Sequence, residues 1–499
     1  MTRDRRFWLL LALAFLLSLP AVTTRIYASD EIEYFSWLRS WAFDRDVDFE
    51  NEYRYFYDTG AARNPDFHET FLERTNEAGR RINFAPIGTA ILWAPFYAVG
   101  HVVALATGAR ADGLSAPYIA AVSYGSACYG FLAVWLSAHL AGRIVGRGAL
   151  AAVGIWIGTP LVYYMYVTPP FSHACSAFAV ALFITVWLRV RDSWSPAGAA
   201  WLGLTGALMA MVREQDIFFI AGPAIDFAWK ALAHSTRKAQ GQGPRLDTAT
   251  PSTQHLAPGV PHSAPSTPHP APGERRTTHL APRTAITAAL VGAVSFLLAF
   301  APQLLAYNSL NGHPSPTELV ERKMIWTSPH ALEVLFSPAH GLFAWTPLAL
   351  LALSGVVLLA LGRTRGLHPE APRIGAIALV MVAAQIYITG AVDSWTLQGS
   401  FGQRRFVGLT PILTVGLAAL FASAAASPLW RRALAAAVAI CLWWNLGLIA
   451  QFALHRMDRQ RLTLRENAFQ TFVVLPREAP AILWRYLTDR SSFYGRQRQ

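Results

Sequence analysis

The stretch ASDEIEYFSW, residues 28–37, places Asp30, Glu31 and Glu33 directly after the apolar run FWLLLALAFLLSLPAV. A carboxylate at the edge of a bilayer is costly unless it is solvated, paired or used. Residues 30, 31, 34, 37 and 38 would share one side of a short helix continuing the run. Asp30 and Glu31 are therefore candidate functional acids, with Tyr34 beside them. Basic and polar groups that could complement them recur further along. TPPFSH (168–173) ends on His173, MVREQD (211–216) carries Arg213, and DSWTLQGSFGQRRF (393–406) carries Arg404 and Arg405. NGHPSP (311–316), ERKMIW (321–326) and LFSPAHGLFAWTPL (335–348) add more. Taken singly, each reads as capping, snorkelling or pairing, and Arg213 reads as a local salt bridge to Glu214 or Asp216. Taken together they set cations beside the acids at one membrane face. That arrangement suits an anionic headgroup such as a lipid phosphate, which a guanidinium grips through two hydrogen bonds.

The elements that must position these groups follow from composition. Of 499 residues, 53% are hydrophobic, 12% aromatic and only 14% charged, with mean hydropathy +0.30. A soluble chain carries nearer a quarter charged residues. Long apolar runs bounded by Arg and Pro recur from end to end. The fold expected is an all-α polytopic membrane protein with about eleven transmembrane helices and a long outer loop after the first span that carries juxtamembrane helices. The spans are expected near 7–23, 117–140, 149–167, 172–188, 197–212, 217–233, 284–307, 342–361, 374–392, 407–426 and 433–454.

Charge sets the orientation. Arg143 and Arg147, Arg189 and Arg191, Arg237 and Lys238, Arg363 and Arg365, and Arg431 and Arg432 fall in alternate loops, so all five can be cytoplasmic together. That pattern also accounts for the net charge of +12 without nucleic acid. It holds only if residues 84–108, FAPIGTAILWAPFYAVGHVVALATG, do not cross. Their Pro and Gly content suits a helix lying in or dipping into the outer leaflet. At the N-terminus, residues 7–23 read as an uncleaved first span with the Arg-rich end in the cytoplasm. Four regions result: an N-terminal membrane module (1–233) with an acidic outer loop (24–85), a linker (234–283), C-terminal membrane helices (284–454) and an extracytoplasmic tail (455–499). The Pro-, Thr-, Ser- and His-rich run at 239–283 cannot bury enough surface to order itself. Cys128, Cys175 and Cys441 are isolated in apolar runs, which indicates neither a disulfide framework nor a zinc site.

Loop 24–85 holds thirteen of the chain's 30 Asp and Glu, accompanied by Tyr34, Trp37, Trp41, Tyr53, Tyr55 and Tyr57. Carboxylates bind hydroxyl-rich ligands and aromatic rings stack on sugar C–H faces. The outlying acids also read simply as a solvated loop with interfacial aromatics.

The order of these features resembles the GT-C superfamily of integral-membrane glycosyltransferases, near the bacterial enzymes related to protein mannosyltransferases and aminoarabinose transferases. The likeness rests on the acidic pair after the first span (SDEIEYF), a Pro-rich segment before the next (NFAPIGTAILWAPFY), a basic residue between paired short spans (MVREQD) and a large outer loop after the seventh crossing. It covers roughly residues 1–410. It implies transfer of a sugar from a polyprenyl-phosphate donor to a glycan, lipid or protein acceptor on the outer face of the cell (inner) membrane, with inversion. By the same likeness Asp30 is the catalytic base and Glu31 orients the acceptor or shares that task. Arg213, then Arg404 and Arg405, would hold the phosphate, with His173 and Tyr34 close by. A second acidic position of the family falls on Asp46, Asp48 or Glu50, and Asp48 is carried as a substrate-binding candidate. The scheme calls for no metal and no cofactor. A secondary transporter or a flippase of a lipid-linked or small anionic substrate is the alternative. It would need charged or broken helices near the midplane, whereas the polar groups here gather at span ends.

Overall fold

The computed structural model describes residues 3–146, 148–240, 282–364, 368–397 and 399–493. The expected linker therefore lies almost wholly outside the described residues, as do Arg147 and Arg365. Among the described residues there is no β-strand, only isolated bridges from Thr75 to Arg81 and from Met324 to Val392. The chain is an all-α membrane protein.

The helices used below are α1 Arg3–Ser18, α2 Ser29–Arg39, α3 Glu50–Asp58, α4 Gly88–Thr107, α5 Ala116–Val145, α6 Ala149–Gly158, α7 His173–Val190, α8 Pro196–Val212, α9 Ala221–Gln240, α10 Pro282–Asn311, α11 Pro347–Ala360, α12 Ala371–Gly390, α13 Thr410–Ala424, α14 Pro428–Ala453 and α15 Leu475–Thr488. Local chemistry marks their ends. Ser195 and Ser427 each precede a proline and cap α8 and α14, accepting from the backbone N–H of Gly198 and Trp430. α5 stops at Gly146, whose φ of +80° suits a residue without Cβ.

Among the described residues, seven helical segments are long and apolar enough to cross a membrane, rather than the eleven expected: α4, α5, α7, α10, α12, α14 and the run Arg404–Ala424 that includes α13. Four more, Phe7–Ala21, α6, α8 and α11, are apolar but shorter. Two expectations change. Within residues 84–108 the helix runs over Gly88–Thr107 and continues through Pro95. Residues 217–233 divide between a 3-10 turn, Glu214–Ile220, and the start of α9. The acidic helix α2 does not continue α1 either. A turn at Leu19–Ala21 and an irregular stretch up to Ala28 separate the two.

The bundle packs around the run Arg404–Ala424, 83% of whose apolar window is buried, whereas the corresponding window of α10 is only 11% buried. Glycines permit the closest crossings. A Cβ on Gly355 of α11 would collide with the carbonyl of Gly416 in α13, and one on Gly203 of α8 with the carbonyl of Gly292 in α10. At the C-terminal end of α7, Arg191 is 1% exposed and grips Asp226 of α9 through Nε (2.9 Å) and Nη2 (3.0 Å). It also pairs with Glu370, and Arg373 Nε lies 3.4 Å from Asp226. The indole of Trp187 donates to Asp226 as well, at 3.2 Å. This knot ties α7, α9 and the head of α12 together.

Candidate functional site

The other end of α7 carries most of the residues singled out in the sequence. α7 begins at His173 because Pro169 and Pro170 just before it cannot continue a helix. Arg213 caps the C-terminus of α8 with an extended backbone (φ −151°), after which the chain turns into Glu214–Ile220. Arg404 and Arg405 open the 3-10 turn Arg404–Leu409 that leads into α13. Gly402 sets up that turn at φ +61°, where a Cβ would press on the Pro160 ring at 2.9 Å.

Asp30 is the second residue of α2, and its Oδ2 accepts from Arg404 Nη2 at 2.9 Å. Its side chain is 43% exposed. The Arg404 guanidinium also lies over the ring of Phe171, 5.2 Å from the centroid. Arg213 Nη1 is hydrogen-bonded to His173 Nδ1, and its Nη2 donates to Gln215 Oε1 at 3.2 Å. Gln215 in turn donates to the carbonyl of Arg405 at 2.9 Å. Arg405 Nη2 reaches Ser394 Oγ at 3.4 Å, while its Nη1 and His173 Nε2 are buried with no hydrogen-bond partner. Arg213, Arg404 and Arg405 are all near enough to act on His173 electrostatically. Tyr34 lies against Ser172 and within the fields of Arg213 and Asp30, and burial raises its phenol to about 12. With its indole-facing edge toward Trp93 (6.4 Å, 77°), Tyr34 forms part of the same wall.

Glu31 has a different fate from its neighbour. It is fully buried and its Oε2 accepts from the backbone N–H of Tyr27 (2.9 Å) and Ala28 (3.0 Å), capping the N-terminus of α2 from the N3 position. Oε1 meets no partner. Burial pushes the carboxyl up to about 8 against those two hydrogen bonds, so Glu31 is largely neutral at pH 7. Glu33 is buried too and accepts from Phe84 N at 3.1 Å; burial first, then the Asp30 charge, hold it well above the ordinary range.

The structure thus brings together Asp30, Tyr34, His173, Arg213, Arg404 and Arg405, with Glu31 next to Asp30 in the chain but turned back onto the Tyr27 and Ala28 backbone. Asp48 belongs elsewhere, in the turn before α3, where Oδ1 accepts from Glu50 N at 3.1 Å. Arg213 forms an ion pair with neither Glu214 nor Asp216; Asp216 is engaged by Ser176 Oγ at 2.6 Å. Phe171, Ser172 and Gln215 join the site although sequence reasoning assigned them no part. Phe171 and Ser172 stand within the TPPFSH stretch already picked out, and Gln215 within MVREQD. Among the described residues no three His, Cys, Asp or Glu side chains gather as a metal site would require. Chemically, the cluster offers one accessible carboxylate to hold or move a proton, beside three cationic forks of which only one is committed to an acid. Neither a family model nor a curated protein matches the chain.

Proposed function

We propose that this chain is a membrane glycosyltransferase of the GT-C kind, which moves a sugar from a polyprenyl-phosphate carrier to a glycan, lipid or protein acceptor on the outer face of the inner membrane. One observation carries the reading: three guanidiniums gather around His173, one of them, Arg404, paired with the half-exposed Asp30, while Arg213 and Arg405 form no ion pair among the described residues. A cluster with that surplus of positive charge is complete only with an anion in it.

In the reaction Asp30 takes the proton from the acceptor hydroxyl, whose oxygen forms the new bond to the anomeric carbon. The bond from that carbon to the phosphate oxygen breaks, and its electron pair leaves with the polyprenyl phosphate. Attack opposite the leaving group inverts the anomeric centre. Arg213, Arg404 and Arg405 meet the charge that grows on the departing oxygen. Arg404 is shared: it holds Asp30 in the empty site and is drawn to the phosphate when donor enters, freeing the carboxylate as base. Glu31 fixes the start of α2 and so the aim of Asp30, and does not itself reach the acceptor.

The same reading gives eleven crossings, with the N-terminus cytoplasmic. Support comes from the two charged clusters at opposite ends of α7, about 27 Å apart along its axis. Asp30, His173, Arg213 and Arg404 share one end, and Arg191, Asp226 and Glu370 the other. Threading the chain between them takes α1, α5, α6, α7, α8, the composite 214–230, α10, α11, α12, α13 and α14 across. On this reading α4 lies in or dips into the outer leaflet, which is supported by Trp37 Nε1 donating to Ala85 O (2.8 Å) just before it and by Arg39 Nε donating to Asp112 O (3.5 Å) in the loop that folds back onto Tyr97.

The test is mass spectrometry of polyprenyl-phosphate sugars and envelope glycans with and without the protein. A lipid-linked sugar that accumulates in its absence names the donor, and the purified protein should release polyprenyl phosphate from it. No change in lipid-linked sugars together with no turnover sinks the reading.

A further inference from the structure

A second concavity of about 780 Å³ opens between the turn after α2, the turn at Thr75–Arg81 and the end of α10, where Asn308 and Ser309 lie. Three carboxylates, Asp46, Asp48 and Glu50, and three guanidiniums, Arg45, Arg80 and Arg81, line it. Half of these groups are already spent on holding the walls. Glu50 takes Arg54 at 2.6 Å and Arg81 at 3.1 Å, and Arg80 donates to the carbonyl of Ser309. Asp46 Oδ1 accepts from Ser40 Oγ at 2.8 Å, and Asp48 Oδ1 from Glu50 N at 3.1 Å. Left over are the second oxygens of Asp46 and Asp48, the Arg45 fork and the ring of Trp41, which is 36% exposed. Trp41 is held from behind by the buried Trp37, 5.0 Å away, which is itself wedged on Phe49 at 4.9 Å.

The unspent groups define a ligand. Carboxylates repel an anion and Arg45 repels a cation, so neither a phosphate nor a basic peptide suits the cleft. A neutral polyol with an apolar face suits it well: the C–H face of a sugar ring lies on an indole, while its hydroxyls donate to carboxylate oxygens and accept from a guanidinium. Trp41 follows Asp30 by eleven residues along a nearly continuous helical run, about 16 Å. One sugar cannot occupy both places. We propose that this cleft binds a neutral oligosaccharide, the distal part of the acceptor whose growing end lies at Asp30. The proposal rests on the transferase reading only in calling that oligosaccharide the acceptor.

The test uses the full chain in lipid nanodiscs, titrated with mannopentaose and followed by calorimetry and saturation-transfer NMR, with mannose and a sulfated pentasaccharide as comparisons. Saturable binding of mannopentaose is expected, tighter than that of either comparison, weakened tenfold or more by Trp41→Ala and retained in Trp41→Phe. Arg45→Ala, at an exposed turn position, should weaken it severalfold without touching the fold, which covers the case of an unstable Trp41→Ala. Absence of saturable binding, or equal affinity in the Trp41→Ala and Arg45→Ala variants, overturns the cleft. If mannopentaose binds as described but no sugar is ever transferred, the cleft stands and the transferase reading falls. If transfer proceeds while these variants leave affinity unchanged, the reverse holds.

Discussion

At one end of α7 the Arg191 guanidinium meets Asp226 twice and Glu370 once, with Arg373 and Trp187 closing the remaining sides. At the other end three guanidiniums surround His173, with Asp30 their one ion-paired carboxylate. Both clusters put charge where desolvation is expensive, but they resolve it differently. In the first, each guanidinium has a carboxylate within reach, although Arg373 Nε and Nη2 make no hydrogen bond, and breaking such a pair leaves an uncompensated charge. In the second, one guanidinium of three has a carboxylate within reach, and that carboxylate is half in solvent. Counting carboxylates per guanidinium therefore tells the two clusters apart better than burial does.

Four changes probe that contrast. Asp30→Asn should have the largest effect, lowering the turnover of sugar transfer about 10²–10⁴-fold with donor affinity and thermal unfolding little changed. Near-normal turnover would remove Asp30 from the chemistry. Arg191→Ala should destabilise the fold by about 3–5 kcal/mol, since Asp226 and Glu370 lose their partner. Unfolding in detergent micelles measures this, and an unchanged midpoint would erase the distinction between the clusters. Arg213→Ala should do the opposite, raising the KM for donor about tenfold or more through a lost charge-assisted hydrogen bond, while like-charge repulsion in the empty site falls and stability holds or rises. Unchanged donor saturation would reject its phosphate role.

Glu31 gives the smallest effect and a sign that can be worked out. Its folded value, about 8, lies above the ordinary 4.5. The stabilisation it brings is therefore complete below about 4.5 and lost as pH rises through about 8. The wild-type melting temperature should fall between pH 6 and pH 9, and Glu31→Gln should flatten that slope. An identical slope in the variant would mean that Glu31 is charged when buried.

Much of this was legible in the residues, for physical reasons that differ from one to the next. Hydropathy finds the long helices because burial in lipid demands a continuous apolar run, and Gly88–Thr107 is among them despite Pro95. Asp30, Arg213 and Arg404 stand out as polar residues beside apolar runs. Which of them pair does not show, because His173 meets Arg213 across 40 residues and Arg404 meets Asp30 across the whole bundle. Local neighbours misled: Glu214 and Asp216 are adjacent to Arg213 but the backbone turns them elsewhere. The acidic pair looks symmetrical in the sequence, and only the start of α2 after an irregular stretch assigns Glu31 to capping and leaves Asp30 outward. Asp48 belongs by composition to an acidic loop and in three dimensions to a turn.

With both of its ends engaged, α7 behaves as a spacer of fixed phase. Each residue added to an α-helix rotates everything beyond it by about 100° and advances it by about 1.5 Å. A single insertion near Val180 would leave Arg191 on Asp226 only by swinging His173 off Arg213, or the reverse. Register along this one helix thus couples the charge cluster at one of its ends to the cluster at the other.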